Sequence, residues 1–284
     1  MIPEGTYLSR IIDAHRRAAS SRAVDIDALF EQASKSALPR PFDGWLNCIK
    51  TSRGIGVIAE VKRKSPSKGL LDKSIDIAAT ARSYEAGGAV AISVLTDYEF
   101  FGGSPEDLAE VKLHSMLPVL RKDFTVSAAD VVESRIMGAD AILLIVAALS
   151  SQELKEFISI ARDLKMSALV EVHDRSQLEI ALNSGASMIG VNQRDLHSFE
   201  VNPDLAVETA KDIPSACVAV AESGITSPDD AKRLADAGYD AILVGEYLVR
   251  SDDRKATVRM LSGHRIGRRA FQQSMANALP GQSR

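Results

Sequence analysis

Four times along this chain a helical segment runs into glycine and an apolar, branched stretch begins a few residues later. The copies are Ala86-Gly87-Gly88-Ala89-Val90-Ala91, Met137-Gly138-Ala139-Asp140-Ala141-Ile142, Ser184-Gly185-Ala186-Ser187-Met188-Ile189 and Ala237-Gly238-Tyr239-Asp240-Ala241-Ile242. Glycine closes a helix in the left-handed conformation, so each copy reads as helix, stop, strand. Repetition of that unit argues for a βα architecture. Apolar runs at Gly56 to Ala59, Ala89 to Leu95, Leu117 to Leu120, Ala141 to Val146, Ala168 to Val172, Met188 to Val191, Cys217 to Ala221 and Ala241 to Val244 make eight candidate strands. The segments between them have helical period. Ser104-Pro105, Asn202-Pro203 and Ser227-Pro228 each set a capping residue before a proline at the first helical position, and Ser150 with Glu153 spells a capping box. Eight strands alternating with helices within about 210 residues predict an α/β protein built as a single closed (β/α)8 barrel, the TIM-barrel architecture. An open doubly wound sheet is the competing arrangement. Gly54-Ile55-Gly56 does not favour it, because that GxG precedes a strand and opens no helix, so the dinucleotide fingerprint fails on context.

The N-terminal region has a different rhythm. Leu8, Ile11, Ile12 and His15 share one helical face, followed by Ile26, Leu29 and Phe30 and then Trp45, Leu46 and Ile49, with Asp25 and Asp27 as caps of the second segment. Residues 1–50 are expected to form a helical extension packed on the barrel, residues 51–262 the barrel, and residues 263–284, basic and then polar, a loose tail. With 284 residues, 25% of them charged, and a net charge of -4, the chain has no basic field to attract nucleic acid. Cys48 and Cys217 stand alone with no CxxC, which suggests a reducing compartment and neither a disulfide framework nor a zinc site. No run approaches a membrane span and the N-terminus lacks an apolar signal core, so a cytoplasmic protein with no membrane partner is expected.

Active sites of such barrels lie at the C-terminal ends of the strands. Those ends carry, in order, Glu60 and Lys62, Thr96-Asp97, Lys122-Asp123, Ala147, Glu171, Asn192 with Arg194, Glu222-Ser223-Gly224, and Gly245-Glu246. A strand's period of two sends Glu60 and Lys62 to the same side. Each charged group follows an apolar run by one or two residues. This predicts a half-buried ring of two lysines and three glutamates that shift one another's pKa values, as proton transfer at neutral pH requires. Any one of them could be a structural ion pair, but the whole set is harder to explain that way. Ser223, Gly224 and Gly245 close the seventh and eighth runs, where barrels often hold a phosphate on backbone amides. The acidic Glu246 need not oppose this, since only its backbone N–H would be used.

With these residues the chain resembles the indole-3-glycerol phosphate synthases from about Leu8 to Val249. The motifs are IAEVKRKSPSKG (Ile58 to Gly69), LTDYEFFGGSPEDL (Leu95 to Leu108), PVLRKDF (Pro118 to Phe124), LLIVAAL (Leu143 to Leu149), ALVEVHD (Ala168 to Asp174), IGVNQRDL (Ile189 to Leu196), VAESGI (Val220 to Ile225) and ILVGEYLV (Ile242 to Val249). The resemblance implies a (β/α)8 barrel whose N-terminal helical extension helps cover the site. It also implies conversion of 1-(2-carboxyphenylamino)-1-deoxyribulose 5-phosphate to indole-3-glycerol phosphate, carbon dioxide and water in tryptophan biosynthesis, with no cofactor and no metal. The catalytic set it implies is Glu60, Lys62, Lys122, Glu171, Asn192 and Glu222. Lys122 would protonate the ketone oxygen during ring closure, and Lys62 with Glu60 or Glu171 would serve the dehydration. Asn192 and Glu222 would orient the lysines and the substrate. Ser65 and Arg194 would contact its anionic or hydroxyl groups, Phe101 would pack on its aromatic ring, and Ser223, Gly224, Gly245 and Glu246 would hold the phosphate. Tyr247 stands where many relatives carry a small residue and would tighten the phosphate end. The tail beyond Gly263 has no clear counterpart.

His173 follows Glu171 by two and reads as a polar residue at a strand's end. His15, His114, His197 and His264 have no metal-ligand spacing, and Arg265, Arg268 and Arg269 read as a solvated basic tail. Two other functions compete. Phosphoribosylanthranilate isomerase, another phosphate-binding barrel, has no evident use for Lys62 and Lys122 together; a catalytically silent scaffold would have lost part of the charged mouth. The expected partner is a small phosphorylated molecule, and the expected state a monomer or homodimer.

Overall fold

The computed structural model describes residues 6–51, 54–65, 69–195 and 198–267, together with the side chains of these residues except 49–51. Three helices lead the chain: α1 (Tyr7–Ser21), α2 (Ile26–Lys35) and α3 (Phe42–Thr51). Thr6 and Asp25 start the first two by accepting the N–H groups of Ser9 and Ala28, and Asp27 lies inside the first turn instead of capping it. There follow β1 (Gly56–Val61), a short ribbon of β2 (Lys64–Ser65) and β3 (Gly69–Leu70), α4 (Ile77–Gly87), β4 (Ala91–Leu95), α5 (Pro105–His114), β5 (Val119–Lys122), α6 (Ala128–Ile136) and β6 (Ala141–Ile145). The second half comprises α7 (Ser151–Asp163), β7 (Ser167–Val172), α8 (Arg175–Asn183), β8 (Met188–Asn192), α9 (Asp204–Ala210), β9 (Val218–Glu222), α10 (Pro228–Asp236), β10 (Ala241–Val244), α11 (Glu246–Val249) and α12 (Arg254–Ser262).

The eight long strands are parallel and close as β1-β10-β9-β8-β7-β6-β5-β4, with Gly56 opposite Ala241 at the seam. Closure rules out the open doubly wound sheet. The glycines of the repeated motif do what their spacing predicts: Gly88, Gly138, Gly185 and Gly238 have φ of +89°, +91°, +87° and +94°. In two copies the aspartate that follows adds a tie. Asp140 Oδ2 accepts the Val119 N–H at 2.7 Å and Asp240 Oδ2 the Ala219 N–H at 2.8 Å, so each helix exit is fastened to the start of the preceding strand. Ser104, Ser127, Ser150 and Ser227 cap α5, α6, α7 and α10. Asn202-Pro203 departs from expectation: Pro203 is itself the capping position of α9, and Asn202 Oδ1 instead accepts the Asp204 N–H.

The N-terminal extension grips both ends of the barrel. At the N-terminal ends of the strands, the Arg40 guanidinium donates to the carbonyls of Ser115 and Leu117 ahead of β5, and Asp140 Oδ1 accepts the Arg40 N–H. Phe42 and Leu46 are fully buried in one apolar cluster with barrel-interior Ile58, Leu120 and Leu169. They anchor α3, whereas Trp45 is 37% exposed; the Ile49 side chain lies outside the described residues. At the opposite ends, α1 buries Leu8, Ile11 and Ile12 and sends Arg16 to Glu153 and to the Ala148 carbonyl beyond β6. No helix among the described residues is long and apolar enough to cross a membrane.

Candidate active site

The charged strand ends differ from expectation in one respect. Glu60, Lys122, Asn192 and Glu222 do not follow their strands but, like Glu171 in the run Ala168 to Val172, are the last or next-to-last residues within them, paired in the sheet ladder as Leu95 with Lys122 and Asn192 with Glu222. They are correspondingly deeper. Glu171 and Glu222 are each 1% exposed and Glu60 4%, so the carboxylates are buried, not half-buried.

Glu60 and Lys62 do point the same way, and Lys62 Nζ lies 2.5 Å from Glu60 Oε1. Behind them the Tyr84 hydroxyl donates to the Glu60 carbonyl at 3.1 Å. The next side chain, Arg63, turns the other way and ion-pairs with Asp107 at the start of α5. Its carbonyl accepts the N–H groups of Leu71 and Asp72 and so fixes the base of the β2–β3 ribbon. Ser65 on that ribbon is buried.

Lys122 Nζ sits 3.5 Å from both Glu171 Oε2 and Glu222 Oε2. At that distance these are ion pairs, and Glu171 Oε2 and both Glu222 oxygens have no hydrogen-bond partner. Burial alone would lower the Lys122 pKa, but Glu171 and then Glu222 outweigh it and hold the ammonium well above its ordinary range. Burial and the neighbouring Glu171 push Glu222 up to about 8. Glu171 is also opposed by burial, yet Lys122 and His173 bring its carboxyl below the usual carboxylate range. One carboxyl of the pair is therefore protonated near neutrality while the other is ionised, because two charges cannot be held so close together in a dry site. His173 Nε2 approaches Glu171 Oε1 at 3.4 Å, and neither ring nitrogen makes a hydrogen bond.

All thirteen residues singled out from the sequence line a single cavity of about 870 Å³: Glu60, Lys62, Ser65, Phe101, Lys122, Glu171, Asn192, Arg194, Glu222, Ser223, Gly224, Gly245 and Glu246. The cavity has a polar floor and an aromatic wall. Phe101 and Phe124 stand 6.0 Å apart on that wall. Asp97 Oδ1 accepts the N–H groups of Phe100 and Phe101 and so shapes their loop, while Asp97 Oδ2 lies 3.0 Å from His15 Nε2 on α1. The His15 ring also packs on Phe124. Tyr7, at the start of α1, meets Phe199 edge-on at 5.2 Å, and Phe199 lines the cavity.

At the opposite side Ser223 and Gly224 are both left-handed, with φ of +64° and +73°. Gly245 passes so close to Glu60 that a Cβ there would run into the Glu60 carboxylate and come within 3.1 Å of Lys62 Nζ. Glu246 opens α11 and lines the cavity, and its Oε1 accepts from Arg250 Nε at 3.0 Å. Arg194 donates to the Phe199 carbonyl at 2.8 Å, and Asn192 Oδ1 accepts the Arg194 N–H. Tyr247 does not tighten this end: it packs into the apolar layer around the barrel and does not line the cavity.

Sequence reasoning missed several lining residues. Phe124 directly follows Lys122-Asp123, and the same strand-end argument would have reached it. Phe199 and Val201 come from the loop after β8, where no periodicity marks them. It also missed that His15, Asp97 and Asp123 bring ligand-type atoms within 4.8 Å of one another, since they come from three separate elements. Each of the three already has protein partners, Asp123 Oδ2 accepting from Thr96 Oγ1 and Arg121. Residues His197, Arg268 and Arg269 lie outside the described residues.

The family model for indole-3-glycerol phosphate synthase matches residues 8–261. An indole-3-glycerol phosphate synthase of Chlorobium phaeobacteroides is 44% identical over 256 residues, covering 89% of this chain and 98% of the relative. One of Mycobacteroides abscessus is 44% identical over 254 residues, covering 89% and 93%. Among solved structures, an N-acetylmannosamine-6-phosphate 2-epimerase of Clostridium perfringens superposes with a TM-score of 0.56 at 17% identity, covering 70% of this chain and 90% of that one. A thiamine phosphate pyrophosphorylase of Pyrococcus furiosus does so with a TM-score of 0.53 at 16% identity, covering 73% and 93%. At such identities these two speak for the barrel fold alone.

Proposed function

The chain belongs to the indole-3-glycerol phosphate synthase family of carboxy-lyases, and from that premise we propose that its half-buried lysines and buried glutamates carry out ring closure, decarboxylation and dehydration of 1-(2-carboxyphenylamino)-1-deoxyribulose 5-phosphate. The observation that supports this most is Lys122 held between Glu171 and Glu222 at the floor of a cavity with an aromatic wall.

Ring closure needs the aryl carbon that bears the carboxylate to attack the ketone carbon. As the new bond forms, charge builds on the ketone oxygen, and Lys122 is the group that meets it. Flanked by carboxylates, it keeps its proton at neutral pH, and in a dry site its positive charge stabilises the developing alkoxide strongly. The Lys122 proton goes to that oxygen. Loss of carbon dioxide then returns the electron pair of the breaking C–C bond to the ring and restores its aromaticity. Dehydration follows. The hydroxyl departs with a proton from an acid while a base removes the proton that lets the double bond form. Lys62, paired with Glu60, serves as that acid, and Glu171, ionised beside the protonated Glu222, serves as the base.

Binding is divided between the two sides of the cavity. Phe101 and Phe124 pack on the anthranilate ring, Asn192 and Glu222 orient the lysines and the substrate, and Ser65 and Arg194 meet its anionic or hydroxyl groups. Ser223, Gly224, Gly245 and Glu246 hold the phosphate, mainly by backbone N–H groups. The tail and the oligomeric state play no part in this scheme.

The test is indole fluorescence on mixing the full chain with the carboxyphenylamino-deoxyribulose phosphate. Growing indole emission is the expected result. A folded chain that binds the compound without emission would instead favour a silent scaffold.

A further inference from the structure

Gln193 follows the last residue of β8 and is 3% exposed, yet it does not line the cavity. Its side chain reaches across to the end of β9, where Nε2 donates to the Ser223 carbonyl at 2.8 Å. Its backbone is held on both sides: the Gln193 N–H donates to the Glu222 carbonyl at 3.0 Å, and the Gln193 carbonyl accepts the Asn202 N–H at 2.8 Å. The amide can face Ser223 only by its NH2 end, because a carbonyl accepts and cannot donate. Its other end, Oε1, is buried without a hydrogen-bond partner. A buried acceptor left unpaired is unfavourable, so the single bond to Ser223 is what this side chain contributes.

The consequence lies in the next peptide. Ser223 is left-handed at φ +64°, a conformation that a residue with a Cβ adopts only when its surroundings impose it. The Ser223–Gly224 peptide is planar and trans, so its carbonyl and its N–H point in opposite directions. Fixing the carbonyl on Gln193 turns the Gly224 N–H away from Gln193, and Gly224 itself lines the cavity. Among the described residues that N–H has no hydrogen-bond partner. Gly224 is also closely backed, since a Cβ there would meet Val201 Cγ1 at 2.6 Å and Gln193 Nε2 at 3.5 Å.

We propose that Gln193 is a positioning residue for the substrate's phosphate, holding the Ser223–Gly224 turn in the left-handed pose that aims a free backbone N–H at the anion. This rests on the assignment of the phosphate to that turn. The Gln193 side chain does not line the cavity and bonds only to the Ser223 carbonyl, so its loss should weaken phosphate binding and spare the chemistry.

The test uses Gln193→Met in the full chain, with inorganic phosphate as a competitive probe and the dephosphorylated substrate as a control ligand. The expected result is that KM and the phosphate inhibition constant both rise by about tenfold, while kcat and the affinity of the dephosphorylated compound stay within about twofold. If phosphate does not inhibit the unaltered chain, the phosphate assignment fails and this proposal with it. If phosphate inhibits both chains equally, the assignment stands and only the role of Gln193 is overturned. A fall in kcat together with weaker binding of the dephosphorylated compound would mark Gln193 as merely structural and overturn it as well. Should the methionine variant not fold, Gln193→Leu supplies the same comparison.

Discussion

Gly190 and Glu222 face each other across neighbouring strands so closely that a Cβ on Gly190 would run into Glu222 Oε1. The glycine in mid-strand is thus the space in which the carboxylate sits. Gly190→Ala should displace Glu222, lower kcat by about 10- to 100-fold and destabilise the fold by about 1–3 kcal/mol, the usual effect of overpacking. Steady-state kinetics and a thermal melt on one preparation would show both. An unchanged kcat would mean that the place of this carboxylate is immaterial to turnover.

Lys122 is asked to act mainly in the transition state. Lys122→Ala should reduce kcat by about a thousandfold or more and leave substrate binding within about tenfold. Single-turnover fluorescence with a parallel binding titration separates the two quantities. Turnover that survives the change would remove Lys122 as the acid.

Glu222 predicts a specific pH dependence of stability. Its ordinary value is 4.5 and the folded chain raises it to about 8, so between those values the folded state holds a proton that the unfolded state has released. The stability that comes with that proton is complete below pH 4.5 and is lost as the pH climbs through the window to about 8. Glu222→Gln cannot lose a proton. Its melting temperature should match that of the unaltered chain near pH 4.5, exceed it increasingly up to about pH 8, and keep a constant lead above that. A lead that grows on acidification would show instead that Glu222 is ionised in the fold.

His15 ties α1 to the loop that carries Phe101. Burial would lower its pKa, but the bond to Asp97 and the charges of Asp123, Asp97 and Asp130 raise it above the ordinary 6.5. Its stabilising effect is therefore complete below that pH and lost as the pH rises through the higher folded value. His15→Ala should cost about 1 kcal/mol at acid pH, less as the pH rises, and should raise KM several-fold through the loosened aromatic wall. Chemical denaturation at two pH values tests the first part and substrate saturation the second. A stability loss that grows with pH would contradict the ion pair.

Gly245 behaves differently in the fold from what its place in the sequence suggests. By sequence it belongs to the phosphate loop alone, and Gly245→Asp should then raise only KM. In the structure a side chain there meets the Glu60–Lys62 pair, with Lys62 Nζ at 3.1 Å from the Cβ position. The substitution should therefore raise KM and also lower kcat by about tenfold or more, because the new carboxylate competes for Lys62. A rise in KM at constant kcat would place the pair outside the reaction.

Much of the site was legible because strand chemistry is local. The period of two put Glu60 and Lys62 on one side, and the apolar runs before Lys122, Glu171 and Glu222 marked where core strands end. The depth of these groups was not legible. A run of apolar residues does not say which residue completes the last ladder pair, and β1, β5, β8 and β9 ran one or two residues further than their apolar runs. The same limit applied to α3, where Trp45, Leu46 and Ile49 were read as one face: Leu46 is fully buried as that reading expects, Trp45 is 37% exposed, and Phe42, which it did not name, is fully buried.

The sequence by itself determined the helix stops at Gly88, Gly138, Gly185 and Gly238, the capping serines and the number of barrel strands, because each depends on the conformational preferences of a few adjacent residues. Its motifs also determined the family. That the sheet closes was decided by the pairing of β1 with β10. Only the tertiary structure decided that the Glu171–Glu222 pair shares a proton, that Gly190 makes room for one of them, that α1 reaches the aromatic wall through His15, and that Gln193 backs the Ser223–Gly224 turn. Each of these depends on distances between residues far apart in the chain, and electrostatic coupling and steric exclusion act through those distances in space.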